Sequence, residues 1–259
     1  MKPLQILAAG SLRDVWPVLV AAFSAEYGIT TQTHYGPAGL LRQRIEQGEV
    51  GDMFVSANLQ HPTSLSRQGL AEDTGHFIDN RLCLTARRED VSAEDDWLSL
   101  LQRDDLRLAT STPLYDPSGD YTWQLFENIE QRYPGQGSRI RNKANALVGG
   151  PDSLPVPVGR LAAQWLIDEG YAELFIGYAS YAPRLRHHQS LLVLNIPPAY
   201  NVRAQYGWAT LSPSAMPLAT FLHTDEAQRI LRRYGFLPPY GSRKPVQGSD
   251  PPVRAVTVP

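Results

Sequence analysis

The chain is predicted to fold as an α/β protein with mostly parallel strands, and three observations carry that prediction. Strand and helix patterns alternate through the first half of the sequence, the arrangement in which helical crossovers return each strand parallel to the last. A buried strand, Gln5-Ile6-Leu7-Ala8, runs directly into the small-residue turn Ala9-Gly10-Ser11 and a helix. A second small-residue turn, Gly36-Pro37-Ala38-Gly39, opens another helix. Two such helix starts present unpaired N–H groups at positive dipole ends, which can hold an oxyanion without a counter-charge.

The elements follow in order. Ser11 is expected to cap the first helix, with Asp14 three residues on in a capping-box arrangement. Leu12, Trp16, Leu19 and Phe23 recur at helical spacing, Gly28 reads as the stop, and Pro17 as a kink near the start. The second helix, 40–47, puts Leu41 and Ile45 on one face. Residues 51–58 read as a strand ending in a polar loop, and 81–85 as a strand followed by the charged loop Arg87-Arg88-Glu89-Asp90. The short apolar run 106–109 leads to a third turn, Asp116-Pro117-Ser118-Gly119-Asp120, and a helix over 121–131. Asp116 reads as a residue that stabilises this turn.

The stretch 149–159 is dense in Gly and Pro and is expected to be irregular. It feeds a helix with Leu161, Trp165 and Leu166 on its apolar face, ending near Gly170, and then a strand over 174–178. Val202, Ala204, Tyr206, Trp208 and Thr210 alternate with other residues, the period of a half-buried strand. The last helix opens on Thr224 with Asp225 and Glu226 in its first turn, carries Arg229, Arg232 and Arg233, and stops at Gly235. Residues 242–259 are Pro-rich and polar and read as a flexible tail.

Composition removes several functional classes. The 24 basic and 26 acidic residues leave a formal net charge of −2 without a long single-sign run, which disfavours nucleic acid and anionic membranes as partners. Cys83 is the only cysteine, so no intramolecular disulfide or CxxC metal site forms; its flanks make it a buried strand thiol. No 18-residue apolar stretch exists to span a membrane. No nucleophile–base pair lies near the three turns, and His34 has no partner in sequence, so no catalytic residue and no enzyme activity are expected. Adjacent His187 and His188 read as part of a solvated basic loop, not as a metal site.

Six pieces in order resemble the periplasmic molybdate-binding proteins of ABC transporters, which have the type II periplasmic-binding fold. They are Ala8-Ala9-Gly10-Ser11-Leu12, the 36–46 turn and helix, Gly51-Asp52-Met53-Phe54-Val55-Ser56-Ala57-Asn58, Asp116-Pro117-Ser118-Gly119, Ile176-Gly177-Tyr178, and Arg233-Tyr234-Gly235-Phe236-Leu237-Pro238-Pro239. Together they span roughly residues 4–239.

The resemblance implies two α/β lobes, each a mostly parallel sheet flanked by helices, with the ligand in the cleft between them. Lobe 1 would comprise 1–82 plus 198–241 and lobe 2 would comprise 83–197, with the Pro197-Pro198-Ala199-Tyr200 stretch as one crossover. It further implies that Ser11 binds the anion through its hydroxyl and N–H, Ala38 and Gly39 through N–H groups, and Ser118 and Tyr178 through hydroxyls. All are neutral donors, suited to a fully deprotonated tetrahedral dianion such as molybdate or tungstate, with no cofactor and no protein-bound metal. Asp116 would be a turn residue or, as in some tungstate-binding relatives, a direct ligand of the metal centre. The partner would be a membrane permease, and the protein a periplasmic monomer whose leader has been removed.

Two departures stand out. Ala38 occupies a position where the family carries a serine hydroxyl, worth ~1.5–3 kcal/mol toward a charged ligand. The 149–159 stretch is longer and richer in proline than the family's loop. They leave room for two alternatives: the same fold binding another small anion or organic acid, or an intracellular ligand-sensing domain.

Overall fold

Crossover helices make parallel strands, and the strands that link two sheets make antiparallel ones; both rules are visible here. The computed structural model describes residues 2–239. The first sheet begins β1 (Leu4–Ala9), α1 (Trp16–Tyr27), β2 (Thr31–Gly36), α2 (Ala38–Glu46), β3 (Met53–Ser56), α3 (Gln60–Arg67) and β4 (Asp73–Asn80). The chain then enters a second sheet through β5 (Leu82–Arg87), α4 (Trp97–Gln102), β6 (Leu108–Ser111), α5 (Pro117–Arg132), α6 (Gln136–Lys143) and β7 (Ala144–Val148). That sheet continues with α7 (Ala162–Asp168), β8 (Leu174–Tyr178), α8 (Ala182–Leu185) and β9 (Leu191–Asn195). The chain returns through β10 (Ala204–Thr210), α9 (Met216–Phe221) and α10 (Asp225–Arg233).

Each sheet has five strands, in the orders β2-β1-β3-β10-β4 and β7-β6-β8-β5-β9. The strands joined by helical crossovers are parallel: β1 with β2 and β3, and β6 with β7 and β8. Around β10 and β5 the ladders are antiparallel. Asn201 ties the two passages between sheets together. Its Oδ1 accepts from Leu82 N at 3.0 Å, and its Nδ2 donates to the carbonyls of Leu82 at 2.8 Å and Ile196 at 3.2 Å.

Several local expectations change. Ser11 does not cap a helix: Gly10–Leu12 forms a single 3-10 turn, and α1 begins at Trp16 with Pro17 in its first turn, where a missing N–H costs nothing. α5 begins four residues before the expected 121 because Asp116 caps it, its carboxylate accepting from Ser118 N at 3.0 Å. β10 is buried at every position except Gln205, not half-buried, because β3 and β4 flank it and α3 and α9 pack against it. α3 and β4 carry no strong pattern and were not expected. Residues 149–161 are irregular, and Leu12, Trp16, Leu19, Phe23, Leu41, Ile45, Trp165 and Trp208 are core. Gly28 ends α1 at φ 67°, and Thr224 caps α10. The expected tail, 242–259, lies outside the described residues. Among those described, no helix is long and apolar enough to cross a membrane.

Candidate functional site

Parallel strands aim their carboxyl ends at one side of a sheet, and ligands of open α/β folds bind there. β1 ends at Ala9, β2 at Gly36, β6 at Ser111, β7 at Val148 and β8 at Tyr178, and all five residues line one cavity of about 690 Å3. Ala57, just past β3, lines it too. The cavity therefore lies between the two sheets, at the ends of the parallel halves.

Four of the five expected site residues reach it: Ser11, Ala38, Ser118 and Tyr178. Ser11 Oγ accepts from Tyr206 Oη at 2.9 Å, and Tyr206 Oη in turn accepts from Asn80 Nδ2 at 3.4 Å. This ordered chain leaves Ser11 its own proton to donate. Tyr178 is buried and, among the described residues, its Oη has no hydrogen-bond partner; its ring packs edge-on against Tyr206 at 5.8 Å. Burial pushes the Tyr178 phenol well above its ordinary pKa, so it remains a donor. An unsatisfied buried hydroxyl costs ~1–3 kcal/mol, which a ligand oxygen would relieve.

Gly39 does not reach the cavity. Its N–H donates to the carbonyl of Tyr115 at 2.8 Å, across the cleft, so it is not open to a ligand. A Cβ at position 39 would fall 2.4 Å from the Leu114 carbonyl oxygen and 2.6 Å from that of Tyr115. Ser118 likewise gives its N–H to Asp116, leaving its hydroxyl as the group it can offer.

The lining is not confined to neutral donors. Asp116 sits partly buried in the wall; burial raises its carboxyl to about 6, against the lowering effect of its bonds to Ser118 N–H and the Ser111 hydroxyl. Arg13, Asp14, Arg160 and Arg184 line the cavity as well. Arg184 Nη1 meets both carboxylate oxygens of Asp14, at 3.0 and 3.2 Å, and Tyr181 Oη donates to Gly10 O at 3.1 Å. With Tyr121 Oη donating to Ala57 O at 3.1 Å, these contacts join the walls on either side. The roles of Tyr206, Arg160 and Arg184 carried no motif in sequence; they depend on packing between distant segments. Among the described residues, no group of three or more His, Cys, Asp or Glu side chains could hold a metal ion.

A family model for bacterial extracellular solute-binding proteins matches residues 4–237. An uncharacterised protein of Pasteurella multocida (strain Pm70) is 47% identical over 237 residues, covering 91% of this chain and 98% of its own. Two solved structures share the fold. The periplasmic molybdate-binding protein of Azotobacter vinelandii has a TM-score of 0.72 and 18% identity, covering 91% of this chain and 99% of that one. The sulfate-binding protein SubI of Mycobacterium tuberculosis H37Rv has a TM-score of 0.76 and 17% identity, covering 93% and 88%. At such identities the likeness shows the two-lobed architecture.

Proposed function

Since the chain belongs to the bacterial extracellular solute-binding proteins, we propose that it is the substrate-binding component of an ABC importer and captures a small anion in the interlobe cavity. Molybdate and tungstate stand first among candidate ions by the six-piece sequence resemblance. The observation that carries the reading is the buried, unpartnered Tyr178 Oη in the same wall system as the Ser11 and Ser118 hydroxyls. The first N–H groups of α2 have no partner within the helix, and Ala38, its first residue, lines the cavity.

The action is binding without a chemical step. Of the described residues, 2–82 with 198–239 form one lobe and 83–197 the other, bending at the two passages. The ligand stabilises the closed arrangement by contacts with both lobes, which shifts the population toward it. The closed face is then read by a membrane permease from the periplasmic side, the protein acting as a monomer.

Isothermal titration of dialysed protein with molybdate, tungstate, sulfate, phosphate and a set of small carboxylates tests this. One-to-one binding of an anion, weakened about tenfold in Ser11→Ala by loss of one hydrogen bond to charge, is expected. Silence toward the whole set, or binding indifferent to Ser11→Ala, overturns the reading.

A further inference from the structure

The cavity is much larger than a tetrahedral oxyanion requires. At ~30 Å3 per water molecule, a five-atom ion displaces only a few waters, whereas the cavity measures about 690 Å3 and lies in the ~300–1,000 Å3 range of pockets for organic ligands. Part of the remaining wall is apolar. Val148, Leu154, Val156, Leu161 and Phe175 line it, drawn from the end of β7, the irregular 149–161 segment and β8.

Asp116 adds a second constraint. As the cap of α5 it already occupies the helix's positive end, one oxygen taking the Ser118 N–H. Its other oxygen lies against Gly149, where a Cβ would come within 2.7 Å of it. A carboxylate in this wall repels a fully deprotonated oxyanion, but it accepts from a ligand that brings a donor of its own. Arg160 contributes a further unmet group: its Nε is buried without a partner, while its Nη2 is held by Asp168 at 2.8 Å.

We propose that the ligand is a hydroxylated organic anion. Its acid group lies at Ser11, Ala38, Ser118 and Tyr178, a hydroxyl donates to Asp116, and its carbon skeleton fills the chamber bounded by Leu154, Val156, Leu161 and Phe175. This rests on the reading of the cavity as an anion site and specifies which anions it selects. The acid group can be a carboxylate or a phosphate ester, both of which present anionic oxygens to the same donors.

Titration of the full chain with molybdate, inorganic phosphate, glycerate and glycerol 3-phosphate, and with the hydroxyl-free analogues propionate and propyl phosphate, is the test. Glycerate against glycerol 3-phosphate identifies the acid group. At least one hydroxylated probe is expected to bind tightest of all, with its hydroxyl-free analogue about tenfold weaker. Asp116→Asn, which retains an oxygen to cap α5, is expected to shrink that gap. Leu154→Trp, which fills the chamber, is expected to weaken the hydroxylated probe, with circular dichroism confirming that each variant folds. Tighter binding of molybdate or phosphate than of all four organic probes overturns this inference and leaves the anion site standing. Equal binding with and without hydroxyls also overturns it. No heat from any of the six, together with silence toward the wider anion set, overturns both.

Discussion

The Tyr178 Oη is buried and, among the described residues, takes no hydrogen-bond partner. Tyr178→Phe therefore removes an unsatisfied buried polar group. The variant is expected to melt at or slightly above the temperature of the parent while losing about tenfold in ligand affinity; calorimetric melting beside titration checks both. A merely structural tyrosine would lose stability instead. Ser11, Ser118 and Tyr178 are carried to the site by the resemblance of six segments taken in order, no one of which points to it alone, and all three line the cavity. For Asp116 the sequence leaves a turn residue and a direct ligand both open; its packing against Gly149, from another strand connection, is not legible locally. Tyr206 was legible only as part of an alternating strand; its bond to Ser11 joins residues 195 positions apart.

At the scale of elements, the start of α2 puts local and long-range preferences in conflict. Alanine is favoured over glycine in a helix by ~1 kcal/mol, yet the backbone of Leu114 and Tyr115 lies where an alanine methyl group at position 39 would go. Gly39→Ala is therefore expected to leave the melting temperature of the open protein unchanged or raised, while separating the walls and lowering ligand affinity about tenfold or more. Small-angle scattering with and without ligand, beside titration, checks this. The same contact explains why Gly39 was misassigned as a ligand donor: a helix start was legible, but which partner its N–H takes was not. Helix ends marked by Gly28 and Thr224 could be read because their signals are local. The start of α1 could not, since Asp14 is engaged by Arg184 from the second sheet and not by a cap. β10 was read as half-buried because alternation cannot reveal that α3 and α9 pack against it.

For the whole molecule, the contacts that join the two walls of the cavity differ in size. The Asp14–Arg184 pair is partly exposed, with side-chain exposures of 33% and 41%, so it contributes no more than ~1 kcal/mol. Arg184→Ala is expected to speed ligand release by up to about fivefold, read by stopped-flow fluorescence, with the loss reproduced in the parent by high salt. The sheet order bears on synthesis. Among the described residues, β4 pairs with β10 and, through Asp79, with Leu237, and β3 needs β10 on its far side, yet β10 begins at Ala204. Every strand of the second sheet, from Leu82 to Asn195, is translated before it. In a chain that emerges from its N-terminus, from the ribosome or across a membrane, the downstream sheet can thus assemble in full while the upstream one waits with β3 as an open edge. An open edge is where a chain can pair wrongly, so the interval between the emergence of Ser56 and that of Thr210 is when this protein is most open to mispairing.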